Sequence, residues 1–219
     1  LLCGILLLAL TASSGAAAPP GWISQAARRA TPAGADAAPA ILLYRHTFVE
    51  IDAYGVSKRT HRLVLRIQNA QGAGWATAMV PYLRSGGRVS TASAWLLRDG
   101  REIKNVNQRD WVDASIDVNG ALYSDSRYKA LTFAGDALAG DVFAAETEVT
   151  TPMLFAEEDY TWGLAGLPLL SDTFELKLPS GFTADAQLHG NPAPIRRESP
   201  DRRSMSWSLA DQPFLPNEP

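Results

Sequence analysis

The chain has 219 residues, of which 46% are hydrophobic and 20% are charged, with one cysteine and a formal net charge of -3. This composition is that of a globular protein, so it excludes wholesale disorder, and the length allows one large domain or two small ones. The small acidic excess gives no reason to expect nucleic acid as a partner, and a single cysteine forms neither an internal disulfide nor a cysteine-rich zinc site.

The chain opens with an apolar run from Leu1 to Leu10, and small residues that include Ala16, Ala17 and Ala18 follow it. An apolar core of this length before an Ala-x-Ala-like site is the layout of a secretory signal peptide, and it is shorter than the roughly 20 apolar residues of a membrane span. We therefore predict that residues 1–18 are a signal peptide that exports the protein to the periplasm or the extracellular space. An uncleaved anchor is the alternative. No initiating Met or basic start precedes the run, so we expect that the first residues of the protein are missing here.

Residues 19–40 are rich in Ala, Pro and Gly, and their only charged side chains are Arg28, Arg29 and Asp36. This composition predicts a flexible Ala/Pro-rich linker. A weak apolar stretch at residues 22–29 makes a short amphipathic helix the alternative.

From residue 41 onward apolar and polar residues alternate with a period of two, which is the pattern of β-strands. His61, Leu63, Leu65 and Ile67 fall on one face of such a strand, and Asp99-Gly100 indicates a tight hairpin turn because glycine accepts positive φ. The predicted strands are 42–52, 56–68, 76–82, 88–98, 101–106, 128–133, 142–150, 173–178, 182–188, 194–198 and 204–209.

Roughly ten short strands without a long helical segment predict an all-β domain over residues 41–219, an antiparallel β-sandwich or an open barrel. Two long connections, 107–123 and 151–170, interrupt the strands, and connections of this length usually cover or bind something. Trp111 and Trp162 lie in them and are the candidate ligand-binding residues, because an exposed indole face stacks on a sugar or a peptide. The alternative is that both rings cover the open end of the sandwich.

The sequence contains no recognisable catalytic motif. The only cysteine, Cys3, falls within the signal peptide, and neither a Gly-x-Ser-x-Gly elbow nor a phosphate-binding loop is present. The three histidines, His46, His61 and His189, lack the spacing of metal ligands. His46 and His61 flank the same turn, so we expect them to form a structural pair across the first hairpin.

Carboxylates occur in groups, but their spacing is not specific to a reaction or a metal. Glu146 and Glu148 share one face of a strand, where solvated charges are expected, and Asp110, Asp113 and Asp117 lack the spacing of a calcium loop. We therefore expect no catalytic residues, no metal and no cofactor. A small hydrolase that uses a pair of carboxylates stays open as an alternative, because only their separation in space would reveal it.

Six segments carry a resemblance to a known family: 55–67, 89–100, 123–129, 139–142, 174–181 and 207–219. Their order and spacing resemble the uncharacterised N-terminal β-domain that precedes the catalytic domain in exported bacterial transglutaminase-like proteins. The turn Arg98-Asp99-Gly100 departs from the Pro-Asp-Gly-like turn of that family and keeps its turn chemistry. The resemblance implies a β-sandwich followed, beyond Pro219, by a Cys-His-Asp catalytic domain, so we expect the chain to be cut at both ends.

We therefore expect a non-catalytic accessory module of an exported transglutaminase-like or protease-like protein, which positions the catalytic domain or its protein or peptide substrate. Its expected partners are that downstream domain and a peptide or cell-wall substrate, with no nucleic acid and no membrane after signal cleavage. The alternative is an independent module that binds cell-wall glycan or peptide through Trp111 and Trp162.

Overall fold

A computed structural model describes residues 18–32, 34–116, 125–152, 157–164, 166–189 and 192–213. The predicted signal peptide, apart from Ala18, lies outside the described residues, as do Asp117 and the final segment 214–219. Within the described ranges, no helix has the length and apolar character needed to cross a membrane.

The described residues form one α-helix, α1 (Gly21–Ala27), three short 3₁₀ turns and eleven β-strands. The strands are β1 (Ala40–Ile51), β2 (Val56–Ile67), β3 (Thr77–Leu83), β4 (Arg88–Arg98), β5 (Arg101–Val106), β6 (Val112–Ser115), β7 (Ser126–Thr132), β8 (Val142–Pro152), β9 (Leu169–Lys177), β10 (Ile195–Glu198) and β11 (Ser204–Gln212).

Two sheets pack on each other. The large sheet has the order β10-β11-β9-β1-β2-β8-β4-β5, and the small sheet has the order β3-β7-β6. The prediction of an all-β sandwich is confirmed, and the large sheet is open rather than closed into a barrel. One pair differs from the predicted antiparallel arrangement, because β1 and β9 run parallel. The long path between them lets β9 enter the sheet in the same direction as β1.

Hairpins form where local turn chemistry predicts them. β4 and β5 are joined through Asp99 and Gly100, which both have positive φ, at 50° and 74°. At the β1–β2 turn, the Asp52 carboxylate accepts hydrogen bonds from the backbone N–H groups of Tyr54 and Val56. Both turns set the register of the strands that follow.

The main core lies between the two sheets. Leu65 of β2 and Phe143 of β8 are fully buried there, and Val80 of β3 packs from the small sheet. Phe133, just after β7, meets Phe143 edge to face with ring centroids 5.9 Å apart. The alternation of apolar and polar residues in the strands thus places one apolar face of each sheet in a shared core.

The opposite face of the large sheet is covered by the N-terminal segment. Ile23 of α1 is fully buried against Ile41 and Val64, and Trp22 meets Trp95 edge to face at 6.1 Å. This arrangement differs from the flexible linker that the composition favoured for residues 19–40. The small apolar stretch suffices for a helix because the sheet supplies a preformed apolar surface on which it packs.

Two predicted elements differ in the structure. Residues 182–188 form no strand, and Ala184 and Ala186 instead pack as irregular chain against the apolar cluster that contains Phe174 of β9. In the connection predicted for 107–123, residues of β6 form a short strand that pairs with β7. That pairing is long-range, so the local sequence carries little sign of it.

Candidate functional site

A cleft lies where β4 separates from β5. On one edge β4 pairs with β8 along residues 88–97, whereas on the other edge β5 pairs with it only along residues 94–98. Residues 88–93 therefore have no strand partner on that second edge among the described residues. The cleft beside them has a volume of about 700 Å³. It is lined by Ser90, Thr91, Ala92, Ser93, Asn107, Gln108, Arg109, Trp111, Asp113 and Lys129.

The chain leaves the sheet at this point through a 3₁₀ turn, Gln108–Asp110, which begins after Asn107. The Asn107 side chain accepts a hydrogen bond from the backbone N–H of Arg109, which is a common way to cap such a turn. The side-chain amide of Gln108 donates to the Val89 carbonyl at 2.8 Å, so it satisfies one acceptor of the open edge.

A β-bulge at Ser90 sets the direction of the open edge. The register of β4 against β8 shifts between Val89 and Thr91, which leaves Ser90 as the extra residue. Its hydroxyl donates to the Glu148 carboxylate at 2.7 Å. Bulges bend a strand and increase its twist, so we expect a local bend of β4 within its open edge.

The wall of the cleft carries an ion cluster centred on Asp113 of β6. Arg127 and Lys129 of β7 reach its two carboxylate oxygens at 2.9 and 3.0 Å, and the Tyr82 hydroxyl donates to it at 2.8 Å. Burial raises the pKa of Asp113, but the hydrogen bonds from Lys129, Tyr82 and Arg127 outweigh it and lower this pKa to about 2. Asp113 is therefore an anion at neutral pH.

Trp111, one of the two candidate residues from the sequence, borders the cleft but presents little surface to it. Its side chain belongs to the main core and the residue is 4% exposed. Its buried indole Nε1 has no hydrogen-bond acceptor among the described residues. The pairing of β6 with β7 brings the ring into the space between the sheets, which leaves little of its face for stacking on a ligand.

The second candidate, Trp162, lies in a different part of the molecule. It is half-buried beside β9 and β11, and its ring packs edge to face on Tyr160 at 4.9 Å. Tyr160 in turn lies against Phe174 of β9 at 4.8 Å. Trp111 and Trp162 belong to separate apolar clusters, so the structure does not bring them together in one site.

A buried ion pair fixes segment 157–164 on the sheet. Asp172 of β9 is fully buried and accepts two hydrogen bonds from the Arg45 guanidinium of β1, at 3.0 and 2.5 Å. It also accepts from the Tyr160 hydroxyl at 2.5 Å and from the Gly163 backbone at 2.8 Å, while Arg45 donates to the Thr161 carbonyl. Burial raises the pKa of Tyr160, so the phenol stays a donor. Every group of this network has a partner in the fold, which indicates a structural role.

A Thr–His pair lies next to this network. The Thr47 hydroxyl and His61 Nδ1 are 2.8 Å apart, which resembles a nucleophile beside a base. Burial, together with the charges of Arg45 and Arg59, lowers the pKa of His61 to about 4. Thr47 is 1% exposed, so a substrate has no access to its hydroxyl, and the pair is better explained as part of the core.

The expected pairing of His46 with His61 is wrong. In the β1–β2 register, His61 stands opposite Thr47 and His46 stands opposite Arg62. Neighbouring positions of a strand point to opposite faces, so the two rings lie on different sides of the sheet. His46 faces Glu175 at 3.4 Å instead.

The carboxylates behave as surface ion pairs. Glu146 contacts Arg62 at 2.8 Å, and Glu148 contacts Lys58 at 3.8 Å on the same face of the sheet. Among the described residues, no group of three or more His, Cys, Asp or Glu side chains is arranged to hold a metal ion.

Comparison with solved structures shows the fold. The chain is similar to part of a crystal structure of a "putative protease" from Parabacteroides distasonis, with a TM-score of 0.68 and 14% identity over 82% of this chain. The matched region is 37% of that neighbour, so this chain spans well under half of its length. An M1 zinc metallopeptidase from Deinococcus radiodurans matches with a TM-score of 0.33 and 10% identity, over 82% of this chain and 40% of its own, which is too distant to support an inference.

Comparison of sequences shows the family. Among curated proteins, none matches this chain. A family model does match residues 53–215, which is most of the chain and includes ten of the eleven strands in full. That model describes a domain of unknown function with a solved structure. The chain therefore belongs to the DUF3857 family.

Proposed function

We propose that this chain is a non-catalytic accessory module of an exported protease-like or transglutaminase-like protein, and that it positions the catalytic domain or its peptide substrate. The observation that carries the proposal is the likeness to a 37% portion of a much longer chain described as a "putative protease". A domain that makes up the smaller part of such a chain is expected to support the function of the remaining domains.

The chemistry of the described residues supports this role. Thr47, His61 and Asp172 are the groups that most resemble catalytic ones, and all three are engaged inside the fold. The cleft beside β4 is lined by hydroxyl, amide and charged side chains without a histidine among the described residues. Asp113 is the one carboxylate among the described residues of that lining, and its pKa, lowered to about 2, makes it a weak general base at neutral pH.

The alternative of a glycan-binding module through aromatic loops has less support. Stacking on a sugar needs an exposed ring, and Trp111 is only 4% exposed. Trp162 packs on Tyr160 and belongs to a different apolar cluster from Trp111.

Two measurements test the accessory role. The gene is sequenced beyond the codon for Pro219. We expect the reading frame to continue into a catalytic domain that contains a Cys, a His and an Asp in that order along the chain. The purified chain is also assayed for hydrolysis of casein and for transfer of a fluorescent amine to it, and we expect no turnover above the blank. A stop codon directly after Pro219, or turnover by the chain itself, would contradict the proposal.

A further inference from the structure

We propose that the cleft beside β4 binds an extended acidic peptide, which adds to the free edge of β4 as an additional strand. This inference rests on the proposed function, because it names the class of substrate or partner that the module would hold. The binding itself is a property of this chain and is measured without a catalytic domain.

The open edge provides the backbone groups that a new strand needs. Residues 91–93 pair with β8 on one side, where Ser90 is the bulged residue. On the other side, residues 90–93 have no strand partner among the described residues. Unpaired N–H and C=O groups of an edge strand are a template for another chain, and binding by strand addition uses them. The side-chain amide of Gln108 donates a hydrogen bond of 2.8 Å to the backbone carbonyl of Val89. A donor on the cleft side can therefore reach the backbone of this edge.

The surroundings keep this edge accessible but sheltered. Protein edges are usually protected by charged residues, prolines or a covering loop. Residues 90–93 instead carry the small side chains of Ser90, Thr91, Ala92 and Ser93, and they stand beside a cleft of about 700 Å³. That volume lies within the range of about 300–1,000 Å³ that is typical of ligand sites.

The charges of the cleft favour an acidic ligand. Arg109 is exposed and has no acidic partner among the described residues. Lys129 shares the single carboxylate of Asp113 with Arg127, so that cluster keeps one uncompensated positive charge. Charge-assisted bonds from an arginine to a carboxylate are among the strong polar contacts of proteins. Because alternate residues of a strand share a face, a peptide with an acidic residue at every second position presents all its carboxylates on one side.

The test uses the chain with three N-acetylated hexapeptides. The first alternates valine and glutamate, the second replaces glutamate by lysine, and the third is the acidic peptide with alternate backbone nitrogens methylated. We expect binding of the first peptide in titration calorimetry, at least about tenfold weaker binding of the other two, and slower amide hydrogen exchange at residues 90–93. The methylated peptide keeps the charge and removes strand donors, so it separates strand addition from electrostatic adsorption.

Matched substitutions locate the binding. Arg109→Glu reverses a cation of the cleft, whereas Arg101→Glu makes the same change at an exposed position at the other end of β5. We expect Arg109→Glu to weaken binding of the acidic peptide about tenfold. We expect Arg101→Glu to stay within about twofold, because exposed charges away from the site contribute little.

Several results would overturn the inference. They are equal binding of all three peptides, unchanged exchange at residues 90–93, equal effects of the two substitutions, or a dimer in sedimentation that occupies this edge and binds no peptide. None of these results bears on the reading frame beyond Pro219, so failure of peptide binding is distinguishable from failure of the accessory role.

Discussion

The carboxylate of Asp172 has no contact with solvent, and its charge is compensated inside the protein by Arg45, Tyr160 and the backbone of Gly163. Arg45 also lies over the Tyr160 ring at 4.9 Å. These contacts join β1 and β9 to segment 157–164. The ion pair therefore decides how a connection without regular structure is held on the sheet.

Replacing this carboxylate by an amide tests that role. We expect Asp172→Asn to lower the free energy of unfolding by about 3–5 kcal/mol, because Arg45 would stay buried without its counter-charge. Asp185→Asn is the matched control, since Asp185 is exposed. Urea unfolding at pH 7 provides the measurement, and equal stability of the two variants would contradict a structural role for the pair.

His61 makes stability depend on pH. Its folded pKa of about 4 lies below the ordinary histidine pKa of 6.5, so the unfolded chain takes up a proton first as the pH falls. The stabilisation is complete above pH 6.5 and is lost between that pH and about 4, and it amounts to about 3 kcal/mol.

Comparison of variants isolates this effect from the titration of carboxylates. We expect the His61→Gln variant to show a smaller loss of unfolding free energy than the parent between pH 7 and pH 4.5. The control is His189→Gln, which replaces an exposed histidine. If the parent and His61→Gln have the same slope of stability against pH, the shifted pKa of His61 is refuted.

Among the secondary-structure elements, helix α1 is stabilised by packing on the large sheet. Residues 21–27 are too few for a stable isolated helix. The outer face of the large sheet nevertheless offers Ile41, Val64 and Trp95, on which Ile23 and Ala26 pack. Arg66 reinforces the contact through its bond to the Ala27 carbonyl at 2.6 Å.

Truncation of the central side chain of this helix measures the contact. We expect Ile23→Ala to destabilise the protein by about 2–5 kcal/mol, the range for removal of a fully buried aliphatic group. Gln25→Ala changes an exposed residue of the same helix and is expected to have little effect. Thermal unfolding followed by circular dichroism compares them, and an unchanged Tm for Ile23→Ala would favour the linker predicted from composition.

At the scale of the whole molecule, the main core runs through both sheets. Phe143 of the large sheet and Phe133 beside the small sheet meet in it, and both are almost fully buried. A shared interior makes neither sheet stable alone, so we expect one cooperative unfolding transition.

Two probes test this cooperativity. Tryptophan fluorescence and far-ultraviolet circular dichroism are expected to report the same midpoint in urea. Phe143→Ala should shift both together, by about 3–5 kcal/mol, while Phe182→Ala at a half-exposed site should shift them much less. Two separate midpoints in the parent protein would show that the sheets unfold independently.

Elements whose signals are local could be predicted from the amino-acid sequence. Alternation of apolar residues located nearly all strands, and Asp99-Gly100 located the tight hairpin, because side-chain periodicity and backbone φ depend on neighbouring residues. The same patterns predicted an all-β sandwich.

Features that depend on long-range pairing could not be predicted from the sequence and became visible in the folded protein. The parallel β1–β9 pair, strand β6, the Arg45–Asp172 pair and the open edge of β4 join residues that are far apart in the chain. Trp111 illustrates the difference, since its position in a long connection suggested exposure, and the pairing of β6 with β7 placed its ring in the core. Register and burial arise from contacts between distant strands, which local sequence constrains only weakly.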